Sequence, residues 1–286
     1  MKLLEGKPLA EAIKEKLRKD IEDLKQRSCR ELILASIKVG EDSSCEVYTR
    51  AQRKAAQDLG IRYQLYNLKE DASQAGLVSL IQSLNSDVSV GGIIVQVPLP
   101  GSMDHRKIIQ SILPKKDIEG MHPENLGNIL LDRAAILPCT PAAVMEIIAS
   151  TGIDLYGKEA VVVGHSEIIG KPLGLMLLNK MATVTTCHIG TFEAERLRGH
   201  VRGAEVLVVA AGQAGLVKGD WIKEGAIVVD VGINKKGASI VGDVEFQGAS
   251  RRASYITPVP GGVGPLTVAV LMRNFVEAVR LQCCRG

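Results

Sequence analysis

Apolar side chains at Leu9, Ile13, Leu17, Ile21 and Leu24 recur every three or four positions, the spacing of an amphipathic helix over 8–27. The next apolar stretch, ELILASIKV at 31–39, is a short continuous run of the kind a buried strand needs. The alternation then repeats: 43–59 predicts a helix, 61–68 a strand, 73–85 a helix, 91–97 a strand closed by Pro98, and 104–112 a short helix. Strands that alternate with helices predict a parallel sheet covered on its faces. A second round begins after Pro138-Cys139-Thr140-Pro141. It predicts a helix at 142–151, strands at 159–165, 182–187, 204–212 and 225–232, and a helix from about 170, an order that is Rossmann-like. Over 265–282, Leu266, Val270, Leu271, Phe275 and Val279 share one helical face. A terminal helix of that length must dock, and the expected partner is the first domain.

Composition narrows this picture. The 286 residues suit two domains of ordinary size. Hydrophobic residues are 46% but aromatics only 3%, so the core is built from Val, Ile, Leu and Ala. The net charge is +3 with both signs interspersed, which gives nucleic-acid binding no electrostatic support. The six cysteines include no CxxC pair and no Cys/His cluster with metal spacing, so no metal site is expected. They read as reduced thiols of a cytoplasmic protein, with Cys283 and Cys284 adjacent near the tail. The first residues, MKLLEGKPLAEAIKEKL, lack the apolar region of a signal peptide, and no apolar run is long enough to span a membrane.

Candidate chemistry sits where strands end. VVVGHSEIIGKP at 161–172 leaves a strand and enters a helix. Gly164 permits a tight turn, Ser166 offers a hydroxyl, and Gly170 lets a helix start close to a phosphate. The spacing is G-x-S-x-x-x-G rather than G-x-G-x-x-G, so the strand–turn–helix context carries the dinucleotide reading. Two more small-residue turns, Ala210-Ala211-Gly212 and Val231-Gly232-Ile233-Asn234, would let a flat nicotinamide ring lie against backbone. Tight packing alone would also explain them.

Several motifs together resemble one family. VGHSEIIGKP resembles a V-G-R-S-x-x-V-G-x-P pattern, and KVGEDSSCEVYTRAQRKAA at 38–56 a V-G-x-x-x-x-S-x-x-Y-x-x-x-K segment. GIIVQVPLP, KKDIEGMHPENLG, PCTP, DVGIN and TPVPGGVGPLTVAVL follow the same family in order. The family is that of methylenetetrahydrofolate dehydrogenase/methenyltetrahydrofolate cyclohydrolase. The resemblance implies two α/β domains around a cleft, the second a Rossmann-like parallel sheet. Residues 1–138 with the helix 266–286 would form the folate-binding catalytic domain, and 139–265 the dinucleotide domain. It implies oxidation of methylenetetrahydrofolate by hydride transfer to NAD or NADP, then hydrolysis of the methenyl product, commonly in a homodimer.

By position, the resemblance implies that Tyr48 borders the folate ring system and Gln96 lies near the reacting carbon. Val95, Val97 and Pro98 would shape the pocket floor. Pro258, Val259, Pro260, Gly261, Gly262, Val263, Gly264, Pro265 and Leu266 would close over the substrate. Gly164, His165, Ser166, Ile189, Gly212 and Ile233 would border the dinucleotide.

Three positions depart from the family. Its catalytic lysine lies four residues after the tyrosine, where this chain has Gln52. Tyr48 and Gln52 share a helical face, whereas Lys54 lies about 200° further round. Glu119 replaces the aspartate that binds the pterin, keeping the charge and adding a methylene. NADP-using members often carry Arg and Ser where this chain has His165 and Ile189. A 2′-phosphate needs a charge partner, so NAD is favoured over NADP. Asp117 and Glu119 lie two apart and would share a side in an extended chain, one as ligand and the other as structural hydrogen-bonder. The alternatives are another two-domain Rossmann dehydrogenase, such as one acting on shikimate or an amino acid, or a non-catalytic folate-binding relic. Loss of the lysine predicts dehydrogenation with weak cyclohydrolase activity.

Overall fold

In a computed structural model of the protein, the strand Ile33–Val39 is buried at every position except Lys38. Residues 1–28, 31–41, 43–237 and 239–283 are described, so Cys29 and Cys284 lie outside the described residues. Ile33–Val39 is the middle of a three-stranded parallel sheet, between Arg62–Leu68 and Val90–Val95. Both faces of a central parallel strand are covered, which is why this run is apolar throughout rather than alternating. Ile33, Ile37, Leu77, Ile81, Ile93 and Ile108 form its core. The helices Ser43–Asp58 and Gln74–Ser86 make the connections between these strands. This sheet belongs to a unit made of Ala12–Cys139 and Val268–Gly286.

The paired glycines of the strand Val90–Val95 explain why the terminal helix belongs here. A Cβ on Gly91 would lie 2.6 Å from Val279 Cγ2 and 2.9 Å from Phe275 Cζ. The helix Val263–Cys283 thus packs on backbone that carries no side chains, with Phe275 and Val279 fully buried. Asn274 fixes the helix by donating to the carbonyls of Ile118 at 2.9 Å and Leu137 at 2.7 Å. Lys116 is buried, and its ammonium donates to the carbonyls of Leu84, Asn85 and Asp87 at 2.9, 2.8 and 2.7 Å, closing the end of the helix Gln74–Ser86.

The other unit comprises Met1–Glu11 and Thr140–Thr267. Its sheet has six strands in the order Lys2–Leu3, Tyr255–Ile256, Ile227–Asp230, Val206–Val209, Glu159–Val163, Thr183–Cys187, and every pairing is parallel. The two strands Val206–Val209 and Ile227–Asp230 are buried throughout. The strand order reverses between Glu159–Val163 and Val206–Val209, the topological switch point at which such sheets bind ligands.

The N-terminus departs from the sequence reading, which assigned residues 1–138 to one domain. Lys2 N donates to Ser254 O at 2.7 Å and Leu4 N to Ile256 O at 2.9 Å, so Lys2–Leu3 extends the six-stranded sheet and Met1–Glu11 belongs to that unit instead. Two-residue strands are too short to show any periodicity. The helices Pro123–Leu130 and Leu197–Gly203 and the antiparallel pair Asn234–Lys236/Ser239–Val241 are further elements beyond those the sequence pattern predicts. Among the described residues no helix is long and apolar enough to cross a membrane, and no His/Cys/Asp/Glu group could hold a metal ion.

Gly91→Ala should destabilise the protein by about 1–3 kcal/mol, the usual consequence of overpacking a core, as measured by urea unfolding. An unchanged midpoint would show that the terminal helix does not rest on this glycine.

Candidate active site

The polar cluster of the first unit grows from one face of the helix Ser43–Asp58. Thr49, Gln52, Ala55 and Ala56 point inward, Tyr48 is half-buried, and Lys54 is exposed on another face, as the helical spacing predicts. Gln52 is fully buried. Its Oε1 accepts from the Tyr63 hydroxyl at 3.1 Å and from Gln96 Nε2 at 2.8 Å. Gln96 Nε2 also donates to Ser36 Oγ at 3.0 Å, while its backbone N–H donates to Ile37 O at 2.8 Å. Two donors to one oxygen fix which way the Gln52 amide faces. Gln52 Nε2 is left buried with no acceptor in hydrogen-bond geometry. The amide is nonetheless close enough to the Tyr48 phenol to oppose a rise in its pKa. That rise, driven first by burial and then by the charges of Cys139 and Glu119, keeps the phenol protonated.

Asp117 and Glu119 do not lie on an extended segment, because the chain turns at Gly120, where φ is +72°. Asp117 is consumed by structure: it accepts from the backbone N–H of Gly120 at 3.2 Å and of His122 at 2.6 Å, and from Asn125 Nδ2 at 3.0 Å. Glu119 has no hydrogen-bond partner among the described residues. Burial, with the Asp117 charge added, pushes its pKa up to about 8. No cation counters this, since the position facing into the cluster carries the neutral Gln52. Lys116 cannot serve, with its ammonium bonded to three carbonyls.

The second unit gathers its candidate residues at the carboxyl ends of the strands. Gly164, at φ +122°, passes so close to the Ala210 carbonyl that a Cβ would collide with it. Gly170 in turn abuts the Gly164 carbonyl. The backbone N–H groups of His165 and Ser166 have no protein acceptor among the described residues, so this turn suits an anion such as a pyrophosphate. Ser166 Oγ accepts from Ile169 N–H at 3.1 Å. The His165 and His188 rings lie 5.2 Å apart, and Ile189 and Ile233 are 63% and 70% exposed. Gly212, at φ +67°, belongs to a turn whose N–H groups meet Asp243.

Val97 and Pro98 are exposed, but Val95 is 1% exposed and packs in the core, so it presents no surface to a ligand. Pro98 and Pro260 follow cis peptide bonds. The segment 258–262 is a turn, whereas Val263 and Leu266 are buried residues of the terminal helix. Both exceptions have one cause: a sequence motif runs through contiguous positions, whereas a strand buried along its whole length and the inner face of a helix take individual members into the core. Sequence reasoning missed Ser36, Tyr63, Asp230 and Asp243. A polar Ser36 inside the apolar run ILASIKV was a usable signal, as was Asp230 at the end of IVVD.

A parallel α/β unit with a buried amide cluster, and in the same chain an open parallel sheet with glycine turns at its switch point, define a two-unit protein of the dinucleotide-binding class. Residues 4–119 match the model of the tetrahydrofolate dehydrogenase/cyclohydrolase catalytic domain, and 138–283 that of the family's NAD(P)-binding domain. The bifunctional protein FolD of Acetivibrio thermocellus is 48% identical, covering 98% of both chains. The solved bifunctional FolD of Campylobacter jejuni is 45% identical, with a TM-score of 0.95 over 99% of both chains. That of Trypanosoma brucei, complexed with NADP and an inhibitor, is 37% identical, with a TM-score of 0.93 over 99% of this chain and 98% of its own. The chain belongs to the tetrahydrofolate dehydrogenase/cyclohydrolase family. A shikimate dehydrogenase of Listeria monocytogenes reaches a TM-score of only 0.54 at 13% identity, a likeness of fold alone, so the shikimate-type alternative has no support.

A carboxyl whose folded pKa lies above its unfolded value stabilises the fold fully at low pH, and that stability is lost as pH rises through the folded pKa. For Glu119 the window runs from its ordinary 4.5 to about 8. Unfolding free energy of the ligand-free protein should therefore fall across this window, and Glu119→Gln should flatten the upper part. Asp230, raised to about 6, accounts for the lower part only. Parallel stability–pH curves for the two proteins above pH ~6.5 would contradict the assignment.

Proposed function

We propose that this chain oxidises methylenetetrahydrofolate to methenyltetrahydrofolate by hydride transfer to NAD or NADP, and that it hydrolyses the product only weakly. The observation that carries the reading is the Gln52 amide, buried, oriented by Tyr63 and Gln96, and left with its NH2 group unpaired. The dehydrogenase/cyclohydrolase names of the solved relatives from Campylobacter jejuni and Trypanosoma brucei support the reaction class.

In this reading Tyr48 borders the folate ring system, Gln96 and Gln52 address the region of the reacting carbon, and Glu119 accepts from the pterin. Val97, Pro98 and the turn 258–262 flank the substrate. Gly164, His165 and Ser166 border the dinucleotide phosphates and ribose, and Gly212, Ile189 and Ile233 its other faces. When bound, the dinucleotide supplies the hydride acceptor. The C–H bonding pair leaves the methylene carbon while the lone pair of the neighbouring folate nitrogen forms the C=N bond of the methenyl cation. No protein group has to take a proton, so a neutral amide that positions the carbon is sufficient.

Hydrolysis makes another demand. Water adds to the cation and loses a proton, and the departing ring nitrogen gains one. That needs a group able to exchange a proton near neutral pH. An amide has none, Lys54 faces outward, Lys116 is fully bonded, and Glu119 is engaged by the pterin. The family resemblance also makes a cytoplasmic homodimer the expected working form.

Two outcomes follow. NAD should give the higher kcat/KM, because exposed His165 and Ile189 offer a 2′-phosphate neither a permanent charge nor a hydroxyl. His165→Arg with Ile189→Ser should raise kcat/KM for NADP about tenfold, roughly 1.4 kcal/mol. A wild type that prefers NADP would reverse the assignment.

The second outcome concerns hydrolysis measured apart from dehydrogenation, with the uncatalysed rate subtracted. Wild type should run about 100- to 10,000-fold below its Gln52→Lys variant, the usual worth of a general acid–base group. Wild-type hydrolysis keeping pace with methenyl formation would defeat the claim.

A further inference from the structure

Two buried carboxylates lie beneath the turns at the carboxyl ends of the central strands, and none of the roles above uses them. Asp243 is fully buried. Its Oδ2 accepts the successive backbone N–H groups of Ala211 and Gly212 at 2.7 and 2.8 Å, and its Oδ1 accepts Asn234 Nδ2 at 2.8 Å. One side chain thus ties the turn after Val206–Val209 to the turn after Ile227–Asp230. Asp243 is itself held from below. Asp230 Oδ1 accepts the N–H of Asp243 at 3.0 Å and of Gly232 at 2.9 Å, and Oδ2 accepts that of Val244 at 2.9 Å. The fit leaves no slack, since a Cβ on Gly242 would strike Asp230 and one on Gly232 would strike Asp243.

Buried carboxylates are costly unless their oxygens are filled with donors, and these are. What they do in return is divide the sheet end into two kinds of surface. At 210–212 and 231–232 every backbone N–H is used internally: Ala210 donates to Val163 O at 2.7 Å and Val231 to Val209 O at 2.8 Å, and the rest go to the two carboxylates. Only acceptors and small side chains remain there for a ligand. The unpaired donors lie instead at His165 and Ser166. A dinucleotide has the matching polarity. Its pyrophosphate accepts, its nicotinamide carboxamide and ribose hydroxyls donate, and the oxidised ring is cationic.

We propose that Asp243, supported by Asp230 and paired with Asn234, is the positioning residue that shapes the nicotinamide-nucleoside half of the cofactor site and favours the oxidised ring. The proposal rests on the reading that a dinucleotide binds at these turns. Asp243 touches backbone rather than cofactor, so it acts through the turns. Its negative charge lies under the place assigned to a ring that is cationic only before hydride transfer, which links it to the redox state of the ligand.

The test uses the full chain and direct binding of NAD and NADH by calorimetry, without folate, alongside melting temperature. Asp243→Asn should weaken NAD binding at least tenfold and NADH binding less. Asn234→Asp added to Asp243→Asn exchanges the two groups, keeping an acceptor toward Ala211 and Gly212 and restoring one carboxylate to the pair. The double variant should recover most of the lost affinity and the preference for the oxidised form. Equal weakening of both forms, unchanged binding in Asp243→Asn, or a double variant that regains melting temperature but not affinity would overturn the proposal. If wild type binds dinucleotide but does not oxidise methylenetetrahydrofolate, the proposed activity fails while the binding comparison still decides the role of Asp243. A wild type that binds no dinucleotide overturns both.

Discussion

Parallel strands buried on both faces leave little room for chemistry within a sheet, and this constraint organises the whole chain. Ile33–Val39, Val90–Val95, Val206–Val209 and Ile227–Asp230 are almost wholly buried and almost wholly aliphatic. Groups that act on a ligand are therefore pushed to the carboxyl ends of strands or onto neighbouring helices. Gln96 follows directly on Val95, Gly164 on Val163, and Ala210 on Val209. Ser36 is a buried polar residue in mid-strand, and it is tolerated because Gln96 donates to it.

The cluster around Gln52 shows what one substitution does to a buried polar site. A lysine at this position would bring a cation among Tyr48, Tyr63, Gln96 and Glu119. With glutamine the cluster is held by neutral hydrogen bonds, and Glu119 is left to protonate at a pKa of about 8. Hydride transfer tolerates that neutrality because the folate nitrogen supplies the electrons, whereas hydrolysis needs a proton carrier. In the proposed reading, the two activities named for the relatives therefore make different demands on the same residue.

The second unit uses its carboxylates in the opposite way. The oxygens of Asp230 and Asp243 are filled by backbone N–H groups and the Asn234 amide, so they serve as rigid braces between loops. Loops at the end of a sheet are otherwise the easiest part of a fold to deform. Tying two of them to one side chain makes their relative placement a property of the core.

The sequence by itself determined the alternation of strands and helices, the terminal helix with its apolar face, and the family. Period and motif are local properties, and each is complete within a few residues. It also exposed the missing lysine, because Tyr48 and Gln52 are one helical turn apart. Only the tertiary structure decided that Lys2–Leu3 joins the six-stranded sheet, since a two-residue strand has no period and exists only through its parallel partner Tyr255–Ile256. Only the structure separated Asp117, filled by three donors, from Glu119, which has none, and turned Val95 and Leu266 into the core. Asp243 lies 13 residues beyond Asp230, in a segment, SIVGDVEF, that carries no motif. Its bonds to Ala211 and Gly212 span 32 and 31 positions, and contacts at such separations leave no mark on local pattern, because folding alone brings the partners together.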